Sequence, residues 1–294
     1  MDKRQVSGFY DRKGEKRKVF WKLDTGKSAL HTKVAVSLIA VALSIAVLII
    51  CVYLVIPAII SNVSDKIDQN FARQMYDSTI IAAAPVPSES AAPAFVQPNA
   101  ETIKAPLLPR DCFATALAEN PDVVGRISID GLKLNYLVVQ SGDNERYLTT
   151  GYNGKASHSG AIFLDYRCDA AAQPLKGNYI VYGHNMKNGT MFHKLVEYKE
   201  KGFFYNNRII KFDMLYEDHS WEIFSVYITS TDFYYIKTSF ASDQEWLDFL
   251  HTVQQKSIFP TDTVLSADDT ILTLSTCTYE FDNARLVIQA RLLK

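Results

Sequence analysis

A thiol, an imidazole and a guanidinium are the groups in this 294-residue chain whose combination could carry out nucleophilic chemistry. A cysteine attacks as its thiolate, a histidine exchanges the proton, and an arginine fork steadies a carbonyl oxygen as charge develops on it. Cys277 stands in Thr273-Leu274-Ser275-Thr276-Cys277-Thr278-Tyr279-Glu280-Phe281, and Arg285-Leu286-Val287-Ile288 follows after Asp282-Asn283-Ala284. Under strand alternation Leu272, Leu274 and Thr276 share one face, which the leucines mark as core, while Thr273, Ser275 and Cys277 share the other. Leu286, Ile288 and Ala290 take the core parity in the next strand, leaving Arg285, Val287, Gln289 and Arg291 on the outer one. An antiparallel turn then sets Arg285 beside Cys277. A buried, inert cysteine next to a surface arginine satisfies the same alternation.

Of six histidines, His31 precedes a long apolar run, and His158, His219 and His251 fall in turns or a helix without companion polar motifs. His184 closes Tyr179-Ile180-Val181-Tyr182-Gly183-His184-Asn185-Met186, a strand running into a glycine-marked turn that can present an imidazole over a groove. His193 belongs to a succeeding helix. A lone histidine at a strand end is commonly structural, so His184 gains its meaning only from the rest of the pattern.

These residues need a scaffold, and the chain supplies one from about Asp111. The pattern predicts a short helix over Asp111–Glu119, stopped by Asn120-Pro121. Strand-like runs follow at Val123–Ile129, Leu134–Gln140, Gly160–Tyr166, Asn178–Tyr182, Ile209–Leu215, Trp221–Thr229, Thr270–Cys277 and Arg285–Leu293. About eight strands point to a barrel. Helical patches fall at Thr190–Tyr198 and Ser242–Gln255, the latter carrying Trp246, Phe249, Leu250 and Val253 at helical spacing, read as core packing.

Composition separates the rest of the chain. A formal net charge of −1 with 48% hydrophobic residues excludes bulk disorder and argues against a mainly nucleic-acid-binding chain. Residues 1–33 nevertheless hold ten Lys/Arg against four Asp/Glu. The uncharged run Val34 to Ile60 follows, about 40 Å long as a helix, which predicts an uncleaved membrane anchor; the basic tail before it predicts a cytoplasmic N-terminus. Residues 61–110 read as a stalk followed by an Ala/Pro-rich spacer. Cys51 lies in the apolar run, leaving Cys112, Cys168 and Cys277, an odd number that leaves at least one thiol unpaired within a single chain. No metal-ligand spacing, phosphate loop or dinucleotide fingerprint is apparent, so no cofactor is expected.

From about residue 111 to the end the sequence resembles the sortases, membrane-anchored cysteine transpeptidases of Gram-positive bacteria, and is most similar to class B. Leu-Ser-Thr-Cys-x-x-Glu-Phe at Leu274 to Phe281, the Tyr-Gly-His turn, the downstream arginine and the long helix before the cysteine strand carry the resemblance. It implies a mainly β, α+β fold: an eight-stranded barrel with an N-terminal helix and a helix inserted between strands 6 and 7, at residues 111–294, behind one transmembrane helix. It also implies His184, Cys277 and Arg285 as the catalytic three, with Asn144, Leu148, Thr231, Tyr235 and Ile236 lining a sorting-peptide groove and Ser275 and Glu280 beside the nucleophile. The implied partners are secreted proteins bearing a C-terminal sorting motif and an amine of the cell wall. A pilin-polymerising class C-like enzyme, a hydrolytic cysteine peptidase and a non-catalytic peptide-binding module remain alternatives at this stage.

Overall fold

The structure, a computed structural model, describes residues 25–56, 59, 60, 63, 70 and 108–293. The expected basic tail up to residue 24 and, apart from positions 63 and 70, the expected stalk and spacer up to residue 107 lie outside the described residues. The chain divides into two units, Met1–Ala58 and Ile59–Lys294.

In the first unit, α1 spans Thr25–Ile50 and continues into a wider π-type segment at Cys51–Val55. After Lys33 the segment is uncharged and predominantly apolar to Val55, with none of its side chains buried. At about 1.5 Å per residue it is long enough to cross a hydrocarbon core. Ser44, a polar interruption, donates its hydroxyl to the Ala40 carbonyl at 2.9 Å, satisfying it within the helix.

The second unit begins with a 3-10 turn at Asp111–Phe113 leading into α2 (Ala114–Glu119). Eight strands follow: β1 Val123–Ile129, β2 Leu134–Val139, β3 Ile162–Leu164, β4 Asn178–Tyr182, β5 Ile209–Met214, β6 Ser220–Thr229, β7 Ile271–Cys277 and β8 Arg285–Leu292. They close into a barrel in the order β1-β2-β3-β4-β7-β8-β6-β5. The pairs β2·β3 and β4·β7 are parallel and the remainder antiparallel. Two further helices are α3 (Lys201–Asn206) and α4 (Asp243–Gln255), the latter between β6 and β7. The expected barrel and inserted helix are therefore present. The expected helix Thr190–Tyr198 is a 3-10 segment, Phe192–Lys199. The expected strand Gly160–Tyr166 shortens to β3, because Gly160 turns the chain at φ +60° and leaves no room for a Cβ beside the Tyr147 carbonyl.

Alternation sorts the apolar residues into an interior and two outer layers. Ile127, Val138, Leu164, Val181, Leu272, Leu274, Leu286 and Ile288 belong to the barrel core. Phe113 and Ala116 of the N-terminal helical turn pack on Leu137, Val139 and Phe163. Trp246, Leu250 and Val253 of α4 pack on Phe224, Ile271 and Val287. The stripe predicted from the sequence is thus a packing face. α4 starts with a reciprocal cap, in which Ser242 Oγ accepts the Glu245 amide and the Glu245 carboxylate accepts the Ala241 amide. β7 is consequently covered on both sides. Its outer-parity residues Ile271, Thr273 and Ser275 are all buried, and only Cys277, at the strand end, is half-exposed.

Leu250→Ala, which empties the centre of the α4 contact, is expected to lower the unfolding free energy by about 2–5 kcal/mol. Chemical denaturation of the detergent-solubilised chain checks this; a cost under about 1 kcal/mol would show that α4 is not packed as described.

Candidate active site

Strand register brings the three proposed reactive side chains to one rim of the barrel. The parallel β4·β7 ladder ends with Tyr182 opposite Ser275, and two residues further on stand His184, in the turn after β4, and Cys277, the last residue of β7. Across the antiparallel β7·β8 ladder Cys277 is directly opposite Arg285, and across β6·β8 Arg285 is opposite Thr229. Neighbouring strands lie about 4.8 Å apart, and parity places these side chains on the outer face of the sheet. His184, Cys277 and Arg285 line a single cavity of about 360 Å³. The four cysteines are all unpaired, so Cys277 is available as a thiol.

The imidazole is oriented by a fixed carbonyl. His184 Nε2 lies 2.8 Å from Leu148 O, and because a carbonyl only accepts, Nε2 carries a proton in this arrangement and Nδ1 is left for exchange. Leu148 ends the short helical turn Arg146–Leu148, which Asp143 initiates by accepting the Glu145 and Arg146 amides at 2.8 Å each. Those amide bonds, led by that from Arg146, hold the Asp143 carboxyl below its ordinary value. Tyr147 pins the turn from beneath: its hydroxyl donates to Asp122 at 2.7 Å and accepts from Asn120 at 2.9 Å. Burial, opposed by the Asn120 bond and reinforced by Asp122, pushes this phenol up to about 12. Gly183, beside the histidine, is required by close approach. A Cβ there would fall 2.4 Å from Ile162 Cδ1 and 2.8 Å from the Phe192 ring.

The cavity walls come from three segments. Asn144 and Leu148 form one side, Thr231, Tyr235 and Ile236 another, and Ser275 part of the floor, so these sequence-predicted positions meet in one place. The Ser275 hydroxyl shares a 2.8 Å hydrogen bond with the buried Tyr235 phenol. Burial raises the Tyr235 phenol, against the opposing pull of the Ser275 bond and of Arg285. Glu280 is not among the lining residues. Its carboxylate is engaged by Lys199 at 2.7 Å and by Thr278, with these bonds outweighing partial burial to hold it below its ordinary value.

The group that joins the walls has almost no local sequence signature. Asp165, fully buried just after β3, accepts from Arg167 Nε at 2.8 Å, Arg167 Nη2 at 2.7 Å, the Tyr182 hydroxyl at 2.8 Å and Asn144 Nδ2 at 2.9 Å. Arg167 reaches on to the Tyr234 hydroxyl at 2.8 Å and the Ile236 carbonyl at 3.0 Å. One carboxylate–guanidinium pair therefore ties together the turn at Asn144, the end of β4 and the Tyr234–Ile236 wall. Burial pushes the Asp165 carboxyl up, but the Arg167, Tyr182 and Asn144 bonds prevail and its pKa is lowered. Asp-Tyr-Arg at 165–167 was the only available sequence signal, and it names no partners.

The Sortase domain family matches residues 127–293. This chain belongs to the sortase family, in its class B branch. Sortase B of Listeria monocytogenes is 39% identical over 176 residues, covering 59% of this chain and 71% of that protein. Sortase B of Staphylococcus aureus is 36% identical over 177 residues, covering 60% of this chain and 72% of the relative. Among solved structures, a Staphylococcus aureus sortase B–substrate complex superposes with a TM-score of 0.67 at 28% identity, covering 80% of this chain and 99% of that one. The eight-stranded sortase barrel is thus shared, and membership places the chain in a family of transpeptidases.

Since the folded Asp165 pKa is lowered, its contribution to stability is complete above the unfolded value near 4 and is lost as pH falls toward the folded value. In this sortase Asp165→Asn is expected to be less stable than wild type by about 3–5 kcal/mol at neutral pH, with the gap narrowing below about pH 4. Unfolding followed between pH 7 and 2 tests this; a gap constant across that range would mean that the ionised carboxylate is not what the network stabilises.

Proposed function

We propose that this sortase is a cysteine transpeptidase that cleaves a C-terminal sorting motif of secreted proteins at a threonine carbonyl and transfers the acyl group to a cell-wall amine. The observation that carries the reading is the convergence of His184, Cys277 and Arg285 on one cavity, with Cys277 and Arg285 paired across β7·β8. An extended peptide enters between the Asn144–Leu148 and Thr231–Ile236 walls. The Cys277 sulfur adds to the carbonyl carbon, and the Arg285 guanidinium stabilises the oxygen as it becomes anionic. His184, protonated on both ring nitrogens, gives its Nδ1 proton to the departing amine as the C–N bond breaks, leaving a thioester on Cys277. The incoming amine then adds to the thioester carbonyl, loses a proton to His184 Nδ1, and the C–S bond breaks to restore the thiolate and the imidazolium. Thr231, Tyr235, Ile236 and Ser275 contact the peptide in this reading, and Asn144 shapes the wall, since Asp165 and the Tyr166 amide occupy both ends of its side-chain amide.

Residues 1–33 are read as a cytoplasmic basic tail, 34–60 as the anchor, 61–110 as stalk and spacer, and 111–294 as the extracytoplasmic catalytic domain. Anchoring suits the chemistry, because emerging protein substrates and lipid-linked wall precursors are concentrated at the outer membrane surface.

Incubation of the full chain in detergent with sorting-motif peptides is expected to give a thioester adduct on Cys277 by intact mass, resolved by added amine into a ligated product. Cys277→Ala abolishes it. Arg285→Ala lowers kcat on the order of 10²–10³-fold, as for removal of an oxyanion donor. Peptide binding with no adduct for any motif would support a binding module instead, and hydrolysed product even at high amine concentration would support a peptidase.

A further inference from the structure

Backbone pairing between β4 and β7 stops at Tyr182 opposite Ser275, before it reaches the two residues that matter most. Beyond that point one last main-chain bond and then side chains continue the stitching. Gly183 N still donates to Ser275 O at 3.3 Å, and the Thr276 hydroxyl donates to Gly183 O at 2.7 Å. Asn185 then takes over: its Nδ2 donates to the Cys277 carbonyl at 2.9 Å, and its own carbonyl accepts from the Tyr279 hydroxyl at 3.2 Å. His184 is thereby held between two residues, Gly183 and Asn185, that are both bonded to the 275–279 segment.

The orientation of the Asn185 amide follows from its partners. The Cys277 carbonyl only accepts, so the amide nitrogen faces it and Oδ1 is left for the other neighbour, His193 Nδ1, at 2.7 Å. Oδ1 only accepts as well, so His193 carries a proton on Nδ1. Asn185 is buried and His193 half-buried, on a 3-10 segment whose start is bonded back to the turn through Phe192 N and His184 O at 2.9 Å. A buried amide with its acceptor unsatisfied costs stability and gains freedom to rotate, so His193 fixes what Asn185 fixes.

We infer that Asn185, oriented by the Nδ1–H of His193, is the positioning residue that keeps His184 in register with Cys277 where strand pairing has ended. This rests on the reading of His184 and Cys277 as the reacting pair. Neither Asn185 nor His193 lines the cavity, so their effect falls on the geometry of attack and proton transfer and not on peptide affinity.

The test uses the full chain in detergent, with a cleavable sorting-motif peptide for kcat and KM and with iodoacetamide alkylation of Cys277, resolved by peptide mass spectrometry, as a second readout that needs no peptide. Asn185→Ala is expected to lower kcat on the order of 100-fold with KM within about twofold of wild type, and to slow alkylation. His193→Ala lowers kcat roughly tenfold, the equivalent of one lost hydrogen bond. His193→Asn, whose Nδ2 stands where the imidazole Nδ1 stood, recovers most of that loss. Unchanged kcat and alkylation in Asn185→Ala, a loss confined to KM, or equal defects in His193→Ala and His193→Asn would overturn the inference. Cys277→Ala separates the two claims: if it still cleaves peptide, the reacting pair is misassigned, whatever Asn185 does.

Discussion

Hydrogen-bond register across β4, β7 and β8 is the constraint on which the site depends. Side chains alternate with period two along a strand, so a slip of one residue in either ladder would turn Cys277 away from Arg285 or from the His184 turn. Burial on both faces of β7 resists such a slip. Leu272 and Leu274 are enclosed by the barrel, while Ile271 lies under α4 and Thr273 bonds to Asn178 at 2.7 Å. Moving the strand by one position would put the polar series of Thr273 and Ser275 into the apolar interior, which is costly without partners. The same packing that stabilises the fold therefore aligns the chemistry.

A second constraint is the means by which loops are given the precision of strands. Leu148, Tyr234 and Ile236 all lie outside regular strands, yet each is tied down by charged or buried polar groups. Asp143 caps the Leu148 turn, and Asp165 with Arg167 joins the opposite wall to it. A buried ion pair of this kind contributes little net stability compared with an apolar replacement, because desolvation offsets the attraction. Its value here is geometric: a carboxylate accepting from Arg167, Tyr182 and Asn144 permits few alternative arrangements of the three segments it touches.

Much of this was legible in local pattern. Alternation in Ile271–Cys277 and Arg285–Leu292 is strong because Leu272, Leu274, Leu286 and Ile288 mark the core side, and the helical spacing of Trp246, Phe249, Leu250 and Val253 marks α4. Shorter elements were less visible. Lys201–Asn206 is a single helical turn or two containing Gly202, below the length at which periodicity speaks, and Phe192–Lys199 adopts 3-10 geometry that an α-helical period does not describe. Nothing local announces that α4 and the 231–236 segment cover the outer face of β7. Partnerships over long sequence separation, such as Asp165 with Asn144 and Arg167 with Ile236, were invisible because their residue types are equally at home on a solvated surface. Glu280 illustrates the converse, since proximity to Cys277 in sequence did not bring it into the cavity, where Lys199 and Thr278 would have had to release it.

In the proposed mechanism the sulfur, the guanidinium and the imidazole act on one carbonyl at the rim of the barrel. A crystal structure of the protein bearing a sorting-peptide mimic trapped as a covalent adduct measures this most directly. The proposed mechanism requires a bond from Cys277 Sγ to the former carbonyl carbon, the oxygen within about 3.2 Å of the Arg285 guanidinium, and His184 Nδ1 facing the leaving-group side. An adduct whose oxygen points away from Arg285, or whose peptide runs outside the Leu148 and Ile236 walls, would contradict it.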